Sequence, residues 1–235
     1  MLEGFLIKDK FLKKNLNLNC LNFVKDKKSK FSFVKELKKT FISFKIEDKY
    51  NRYFSEKLLS KKKCKFIDTE NQYYGSLKKK IIPKNCFAAK RKDLKEIENI
   101  AKKNLIINRF YLDTRIKKES AENIKKAWIL NFFRKKRGDF LVIKRDSKKK
   151  IVGFLLIIKN NNKMIIDLIA VSKNYLGRGV AIELLCFAQQ SYFTKKTKIF
   201  AGTVKKNIKA NRFYKKIGLK LKLKKYIYHY LNYEK

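Results

Sequence analysis

The sequence predicts an α/β fold built around a mixed β-sheet. Short apolar segments of strand character alternate with amphipathic helical segments, and a glycine-containing turn joins a strand to a helix within residues 164–187. The chain has 235 residues and a hydrophobic fraction of 45%, which is ample for a packed core. No apolar stretch approaches the roughly 20 residues that span a bilayer, and the N-terminus does not resemble a signal peptide. We therefore expect a cytoplasmic protein without a membrane segment.

The predicted elements are clearest after residue 84. A short strand is expected at 85–90, followed by a helix at 94–103 with Asp93 as its N-cap. A second helix is expected to start after an N-cap at Ser120 and to end at Gly138. Later elements are a hairpin of strands 139–146 and 151–160, a strand ending at Ser172, a helix from Val180, a strand at 197–204, a helix at 207–218 closed by Gly218, and a final strand at 220–232.

Residues 1–84 predict a small N-terminal α/β domain that packs on the rest of the chain. A strand is expected at 41–48, a helix at 51–62 and a pair of strands at 64–79. The boundary is placed near the only proline, Pro83, so the second domain covers residues 85–235.

The formal net charge of +42 is typical of a nucleic-acid-binding protein, but the composition argues against that interpretation. Only nine of the 62 basic residues are Arg, the residue that reads bases and clamps phosphates in bidentate fashion. Lys is spread along the whole chain together with much Asn and Ile, which favours biased codon usage. We therefore expect no nucleic-acid partner, although the charge should steer anionic ligands to the surface.

The cysteine and histidine content argues against a metal site. The four cysteines are widely separated, no CxxC motif occurs, and the chain contains a single His. Reduced thiols in the core and no bound metal are expected.

The turn at residues 176–181 contains Gly177 and Gly179 and leads into an apolar helix. A strand, a glycine turn and a helix start direct several backbone N–H groups at one point, which suits a phosphate. The turn lacks the Gly-Lys-Ser/Thr ending of a P-loop and the GxGxxG spacing of a dinucleotide fold. The residues alone thus exclude the two commonest nucleotide motifs and leave two interpretations open, a phosphate site and a purely structural turn in which glycine supplies a positive φ.

The turn resembles the acyl-CoA-binding segment of the GNAT N-acetyltransferase superfamily, with the pattern Gln/Arg-x-x-Gly-x-Gly/Ala. Gly179 and Ala181 match that pattern, whereas Leu176 replaces the usual Gln or Arg. Residues 207–219 resemble the family's Asn-x-x-Ala-x-x-x-Tyr-x-x-x-Gly-Phe segment, and the likeness covers about residues 85–231. The resemblance implies a GNAT fold with a mixed, mostly antiparallel sheet and splayed strands, and acetyl-CoA as co-substrate.

The resemblance also implies roles for individual residues. Tyr214 would protonate the departing thiolate and Asn207 would bind the pantetheine arm; the alternatives are a core aromatic and an ordinary N-cap. His229, the only His, is expected to be packed or on the surface, and no general base is assigned. Backbone amides of Ile169, Ala170 and Val171 would stabilise the thioester oxyanion, and those of Leu176, Gly177, Arg178, Gly179, Val180 and Ala181 would hold the CoA pyrophosphate, with added charge from Arg178.

Residues 108–140 and the N-terminal half are similar to the TDP-fucosamine acetyltransferase type of GNAT protein. That similarity implies a nucleotide-linked aminosugar as acceptor, bound in part by Arg109, Phe110 and Asp113. The alternative for Arg109 and Asp113 is a local ion pair, and Trp128 is expected in the core. A homodimer is one possible oligomeric state that the sequence leaves open.

Two other functions stay open. A GNAT protein of this kind can acetylate a protein N-terminus, a lysine or a small amine, which requires an open groove or a site that tolerates a cation. A non-catalytic basic protein would instead bind DNA or RNA with strong salt dependence.

Overall fold

A computed structural model describes residues 2–31, 37–78, 81–194 and 196–234 of the chain. The helices in these ranges are α1 (Lys10–Leu16), α2 (Asp48–Leu59), α3 (Leu94–Asn104), α4 (Arg109–Leu112), α5 (Lys118–Phe133), α6 (Val180–Tyr192) and α7 (Ile208–Lys216). The strands are β1 (Leu2–Glu3), β2 (Phe5–Lys8), β3 (Asn19–Val24), β4 (Lys30–Phe31), β5 (Thr40–Glu47), β6 (Cys64–Gly75), β7 (Cys86–Ala88), β8 (Phe140–Arg145), β9 (Ile151–Asn160), β10 (Lys163–Val171), β11 (Lys198–Val204) and β12 (Lys220–Asn232).

A 10-stranded sheet in the order β2-β3-β5-β12-β6-β11-β10-β9-β8-β7 organises the molecule. The pairs β10/β11 and β3/β5 are parallel, and the other neighbouring pairs are antiparallel. β1 and β4 pair separately. The expected mixed, mostly antiparallel sheet is confirmed.

The long strand β6 joins the N-terminal part of the chain to the rest of the sheet. It pairs with β11 along one edge and with β12 along the other. The predicted pair of strands at 64–79 is wrong, because β6 finds both of its partners far away in sequence; Lys79 lies outside the described residues. The proposed division at residue 84 falls between strands of one sheet and stays a prediction.

The strand β9, which lies between β10 and β8, is buried on both faces. Leu155 and Ile157 pack in a cluster that includes residues of α6 and α7, whereas Phe154 and Leu156 pack in a second cluster with α3 and α5. Alternation of side chains along a strand sends successive residues to opposite faces, so two helical layers cover this part of the sheet. The apolar run at 151–158 reflects this double burial.

Several predicted helix ends differ from the structure. α5 ends at Phe133 and not at Gly138, and α2 covers Asp48–Leu59 and not 51–62. Ser120 lies within the first turn of α5, which starts at Lys118 without a side-chain cap, so the predicted cap is wrong. Asp93 precedes α3 as predicted, but its carboxylate accepts from Lys90 N at 2.7 Å and pairs with Arg145 at 2.6 Å, and it does not cap α3. The stop at Gly218 is confirmed by its φ of +104°, a conformation that favours glycine.

All four cysteines are buried free thiols. Burial raises the thiol pKa of Cys20 and of Cys64 to about 12 and that of Cys86 to about 11, which makes these thiols unreactive. In the described ranges no helix has the length and apolar character needed to cross a membrane. The same ranges bring no three His, Cys, Asp or Glu side chains together in an arrangement that would hold a metal ion.

Candidate active site

The strands β10 and β11 separate part-way along the sheet. They pair in parallel from Lys163↔Lys198 to Ile166↔Ala201. Beyond this register β10 continues along β9, and β11 continues along β6 to Val204. An open wedge therefore lies between residues 167–171 and 202–204. We call this wedge the fork, and it is the splay that the sequence resemblance implied.

A β-bulge at Asp167 marks the base of the fork. The register of β10 against β9 shifts between Ile166 and Leu168, which leaves Asp167 as the extra residue. The bulge reverses the side-chain alternation, because Ile166 packs on the α6 face and Leu168 on the α3 face. The carboxylate of Asp167 accepts two hydrogen bonds from the Arg137 guanidinium, both at 2.8 Å.

Two of the three predicted β10 amides point into the fork. Ser172 N donates to Val152 O of β9 at 2.8 Å. Because donors along a strand alternate between its two neighbours, the N–H of Ala170 also faces β9, and those of Ile169 and Val171 face the fork. Ala170 is thus not a donor to a ligand in the fork, since its N–H belongs to the ladder.

The glycine turn gives α6 an open N-terminus. Gly177 and Gly179 both have φ of +79°, and a Cβ added at either would meet no atom within 4 Å. Glycine therefore serves the left-handed backbone conformation there, and no close packing requires it. The N–H groups of both glycines and of Val180 and Ala181 have no acceptor within the described residues.

The remaining residues of the turn play different parts. Arg178 N donates to Tyr175 O at 3.4 Å, so its backbone is partly engaged, while its exposed guanidinium lies 5.5 Å from the centroid of the Tyr175 ring. Leu176 is 49% exposed beside the turn and its N–H is bonded to Lys173 O. The N–H groups of Arg178 and Leu176 are therefore less available to a ligand than those of the two glycines.

Asn207 caps α7 at the end of β11. Its Oδ1 accepts from Ala210 N at 3.2 Å, whereas its Nδ2 donates to no described residue. The N-cap interpretation is confirmed, and a side-chain donor is left over beside the fork. Asn211, which the sequence analysis did not single out, fixes this helix: its Nδ2 donates to Val204 O at 3.0 Å, and its Oδ1 accepts from Tyr73 OH at 2.7 Å.

Tyr214 is buried in the same apolar cluster as Val171 and Val180. Its ring centroid lies 5.5 Å from that of Tyr73, and its hydroxyl has no hydrogen-bond partner among the described residues. Burial first, and then the neighbouring Tyr73, raise the pKa of Tyr214 above its usual value. The side chain is both a core aromatic and a protonated hydroxyl without a partner at neutral pH.

Phe110 and Asp113 do not line a pocket as the sequence suggested. Both are buried: Phe110 packs in a cluster with Phe41 and Leu231, and Asp113 lies against His229. The carboxylate of Asp113 accepts two hydrogen bonds from the Arg115 guanidinium at 2.8 Å and lies 2.9 Å from His229 Nδ1. The alternative of a local pair between Arg109 and Asp113 is also wrong, since Arg115 is the partner.

His229 is the packed residue that the sequence favoured. It is fully buried between Phe41 and Phe110, with ring centroids at 4.8 and 6.2 Å. Burial lowers its pKa to about 4 despite the nearby Asp113, and its Nε2 has no partner in the described residues. The imidazole is therefore neutral at pH 7.

A group of charged side chains lies beside the fork, and we call it the acceptor-side cluster. Lys45 Nζ contacts Glu70 Oε2 at 2.5 Å, and Glu70 also accepts from Gln72 at 2.8 Å. Burial alone would raise the pKa of Glu70, but the Lys45 ammonium and the other donors outweigh it and lower the pKa to about 2. The members of the cluster are Lys45, Glu70, Arg109, Lys125, Arg137 and Asp167.

The cluster touches both arms of the fork. Asp167 forms the bulge of β10, and Glu70 of β6 pairs with Val204 at the end of β11. Burial raises the pKa of Asp167 although Arg137 opposes this. Arg137 and Lys125 both lie 4.1 Å from the centroid of the Trp128 ring, whose Nε1 is buried without a described partner.

Of the predicted acceptor residues, only Arg109 belongs to this cluster; its Nη1 donates to Ser43 Oγ at 3.1 Å. Asp167 was not among the predicted residues, although an acid inside the apolar run 164–171 was a usable signal. Lys125 gave no signal in the sequence, because it is one lysine among very many.

The chain belongs to the acetyltransferase (GNAT) family, whose sequence profile matches residues 94–219. The spore coat polysaccharide biosynthesis protein SpsD of Bacillus subtilis (strain 168) is 25% identical over 138 residues, which is 58% of this chain and 47% of SpsD. The chain thus spans about half the length of this curated relative.

Solved structures confirm the GNAT fold. A functionally unknown conserved protein from Staphylococcus epidermidis ATCC 12228 is similar with a TM-score of 0.64 and 13% identity, covering 99% of this chain and 96% of its own. An acetyltransferase of the GNAT family from Colwellia psychrerythraea has a TM-score of 0.58 at 13% identity, covering 98% and 82%. A GCN5-related N-acetyltransferase from Sphaerobacter thermophilus has a TM-score of 0.57 at 11% identity, covering 99% and 78%.

Proposed function

We propose that the protein is an N-acetyltransferase that moves acetyl directly from acetyl-CoA to the amino group of a nucleotide-linked deoxy-aminosugar. The observation that carries this proposal is the fork, which has free backbone N–H groups on one side and a cationic cluster on the other. Acetyl-CoA would occupy the first side and the acceptor the second.

The co-substrate side supports acyl-CoA binding through backbone donors. The free N–H groups of Gly177, Gly179, Val180 and Ala181 are available to the CoA pyrophosphate at the positive end of α6. The open edge of β10 offers hydrogen bonds to the pantetheine amides in the manner of an added strand. The unused Nδ2 of Asn207 is a further donor on this side.

The transfer would follow from these positions. The acceptor amine attacks the thioester carbonyl carbon, and the N–H groups of Ile169 and Val171 donate to the oxygen that gains negative charge. The C–S bond then breaks and the thiolate takes a proton from the Tyr214 hydroxyl. The amine loses one proton to water, since no side-chain base is assigned, and water returns a proton to the Tyr214 phenolate, which restores the enzyme.

The acceptor assignment is supported by charge and by likeness. SpsD is named for polysaccharide biosynthesis, and residues 108–140 are similar to sugar-nucleotide acetyltransferases. The cationic cluster suits an anionic acceptor and disfavours a polyamine or a lysine side chain through charge repulsion.

A thiol-release assay tests the proposal. Acetyl-CoA is offered with TDP-4-amino-4,6-dideoxy sugars, with peptides that carry a free N-terminus or a lysine, and with spermidine. We expect the free thiol of CoA to be released from acetyl-CoA when a sugar nucleotide is present. Release only with peptides or spermidine would refute the sugar acceptor, and a failure to bind acetyl-CoA in calorimetry would refute the enzyme itself.

A further inference from the structure

Lys125 and Arg109 lack a carboxylate partner in the acceptor-side cluster. Glu70 pairs with Lys45, and Asp167 pairs with Arg137. Within the described ranges no carboxylate lies at ion-pair distance from Lys125 or Arg109, and the only side-chain hydrogen bond of Arg109 goes to Ser43 Oγ. Two positive charges therefore stand unbalanced next to the fork.

Lys125 is the most deeply buried cation of the cluster. The residue is 7% exposed, and its ammonium lies against the face of Trp128 without a hydrogen-bond acceptor among the described residues. An ammonium in such surroundings is costly unless an anion compensates it. Burial lowers its pKa to about 7, helped by repulsion from Arg109, Arg137 and Lys45 and opposed by Asp167.

On the basis of the proposed function, we infer that Lys125 and Arg109 form a binding site for a phosphate or diphosphate group of the acceptor. Two unpaired cations match a group with two negative charges better than a single carboxylate. In the proposed acceptor, the diphosphate that links nucleoside and sugar is such a group. The cluster would thus select acceptors by their phosphate, independently of the amine that is acetylated.

Inorganic pyrophosphate is the probe for this site. It is titrated by calorimetry into the full chain saturated with CoA, so that the phosphate site proposed at α6 is already filled. Wild type and Lys126→Met, which removes the exposed lysine next in sequence, should bind alike. Lys125→Met and Arg109→Gln should each bind at least tenfold more weakly. Equal affinity in Lys125→Met and Lys126→Met would overturn the inference, and so would tighter binding of succinate than of pyrophosphate.

A second measurement uses only the wild type and so does not depend on how a variant folds. A bound anion raises the pKa of Lys125, so pyrophosphate binding at pH 8 should take up protons, seen as a dependence of the binding heat on the ionisation enthalpy of the buffer. Binding without proton uptake would overturn the inference. If CoA itself does not bind, the proposed function fails, and the same pyrophosphate titrations on the unliganded chain still decide the role of Lys125.

Discussion

The two sides of the fork consist of different chemical groups: backbone N–H groups on one side and charged side chains on the other. The co-substrate side offers backbone N–H groups from one continuous segment, residues 169–181, and has little fixed charge. The acceptor side is built from charged side chains on β5, β6, α4, α5, β10 and the turn after α5. A site made of backbone depends on local conformation, whereas a site made of side chains depends on which distant elements pack together.

This difference explains why one side was recognisable in the sequence and the other was not. Positive φ at Gly177 and Gly179 restricts the residue type and leaves a short pattern. The pairing of Asp167 with Arg137 across 30 positions leaves no comparable pattern.

Acid should destabilise the folded chain through His229, which is buried in the core. Its pKa is lowered from 6.5 to about 4 by burial, so below pH 6.5 the unfolded chain binds a proton that the folded chain does not. The full contribution of His229 to the free energy of unfolding is therefore present above pH 6.5. This free energy decreases by about 3 kcal/mol as the pH falls towards 4. Urea unfolding of wild type and of His229→Gln at pH 7 and pH 4 measures this. An equal loss in both proteins would show that another group titrates.

Tyr214→Phe should lower kcat by about a hundredfold, because the proton donor for the thiolate is removed. Acetyl-CoA affinity should change less than about twofold, since the ring and its contact with Tyr73 stay in place. Tyr73→Phe is the matched control, as it removes a hydroxyl bonded to Asn211 while leaving Tyr214 intact. Steady-state kinetics and calorimetry decide, and an unchanged kcat in Tyr214→Phe would exclude it as the acid.

Gly179→Asp should weaken acetyl-CoA binding by about thirtyfold relative to Gly179→Asn. Both side chains tolerate the left-handed conformation at φ of +79°, and space is open for either, so the pair differs in charge alone. The carboxylate would oppose the CoA pyrophosphate at the N-terminus of α6. Calorimetry with acetyl-CoA measures the ratio, and equal affinities would place the pyrophosphate elsewhere.

Arg137→Gln should raise the acceptor KM by about tenfold and leave acetyl-CoA affinity within about twofold of wild type. The substitution removes the guanidinium that lies on Trp128 and holds the bulge carboxylate of Asp167. Lys136→Gln removes an adjacent exposed charge and should behave as wild type. A larger effect on acetyl-CoA than on the acceptor would contradict the division of the fork into two sides.

Much of the fold followed from local pattern. The strand predicted at 220–232 has those bounds in the structure, and the hairpin and the stop at Gly218 are where periodicity and glycine placed them. The cap at Ser120 failed because α5 starts at Lys118 without a side-chain cap, so that Ser120 lies inside the first turn. The strand pair at 64–79 failed because polar residues in β6 resemble a turn, yet both edges are held by distant strands.

Local sequence patterns were sufficient to predict the family, the glycine turn, the cap at Asn207 and the approximate position of nearly every element after residue 84. Each of these depends on contacts between neighbours in the chain, for which residue type and spacing suffice. Three features depend on how distant elements pack together: the N–H of Ala170 faces β9, Phe110 and Asp113 are buried in the core, and Lys125 and Arg109 have no carboxylate partner beside the fork. Strand register and long-range ion pairs fix these outcomes, and neither is encoded in any short stretch of sequence.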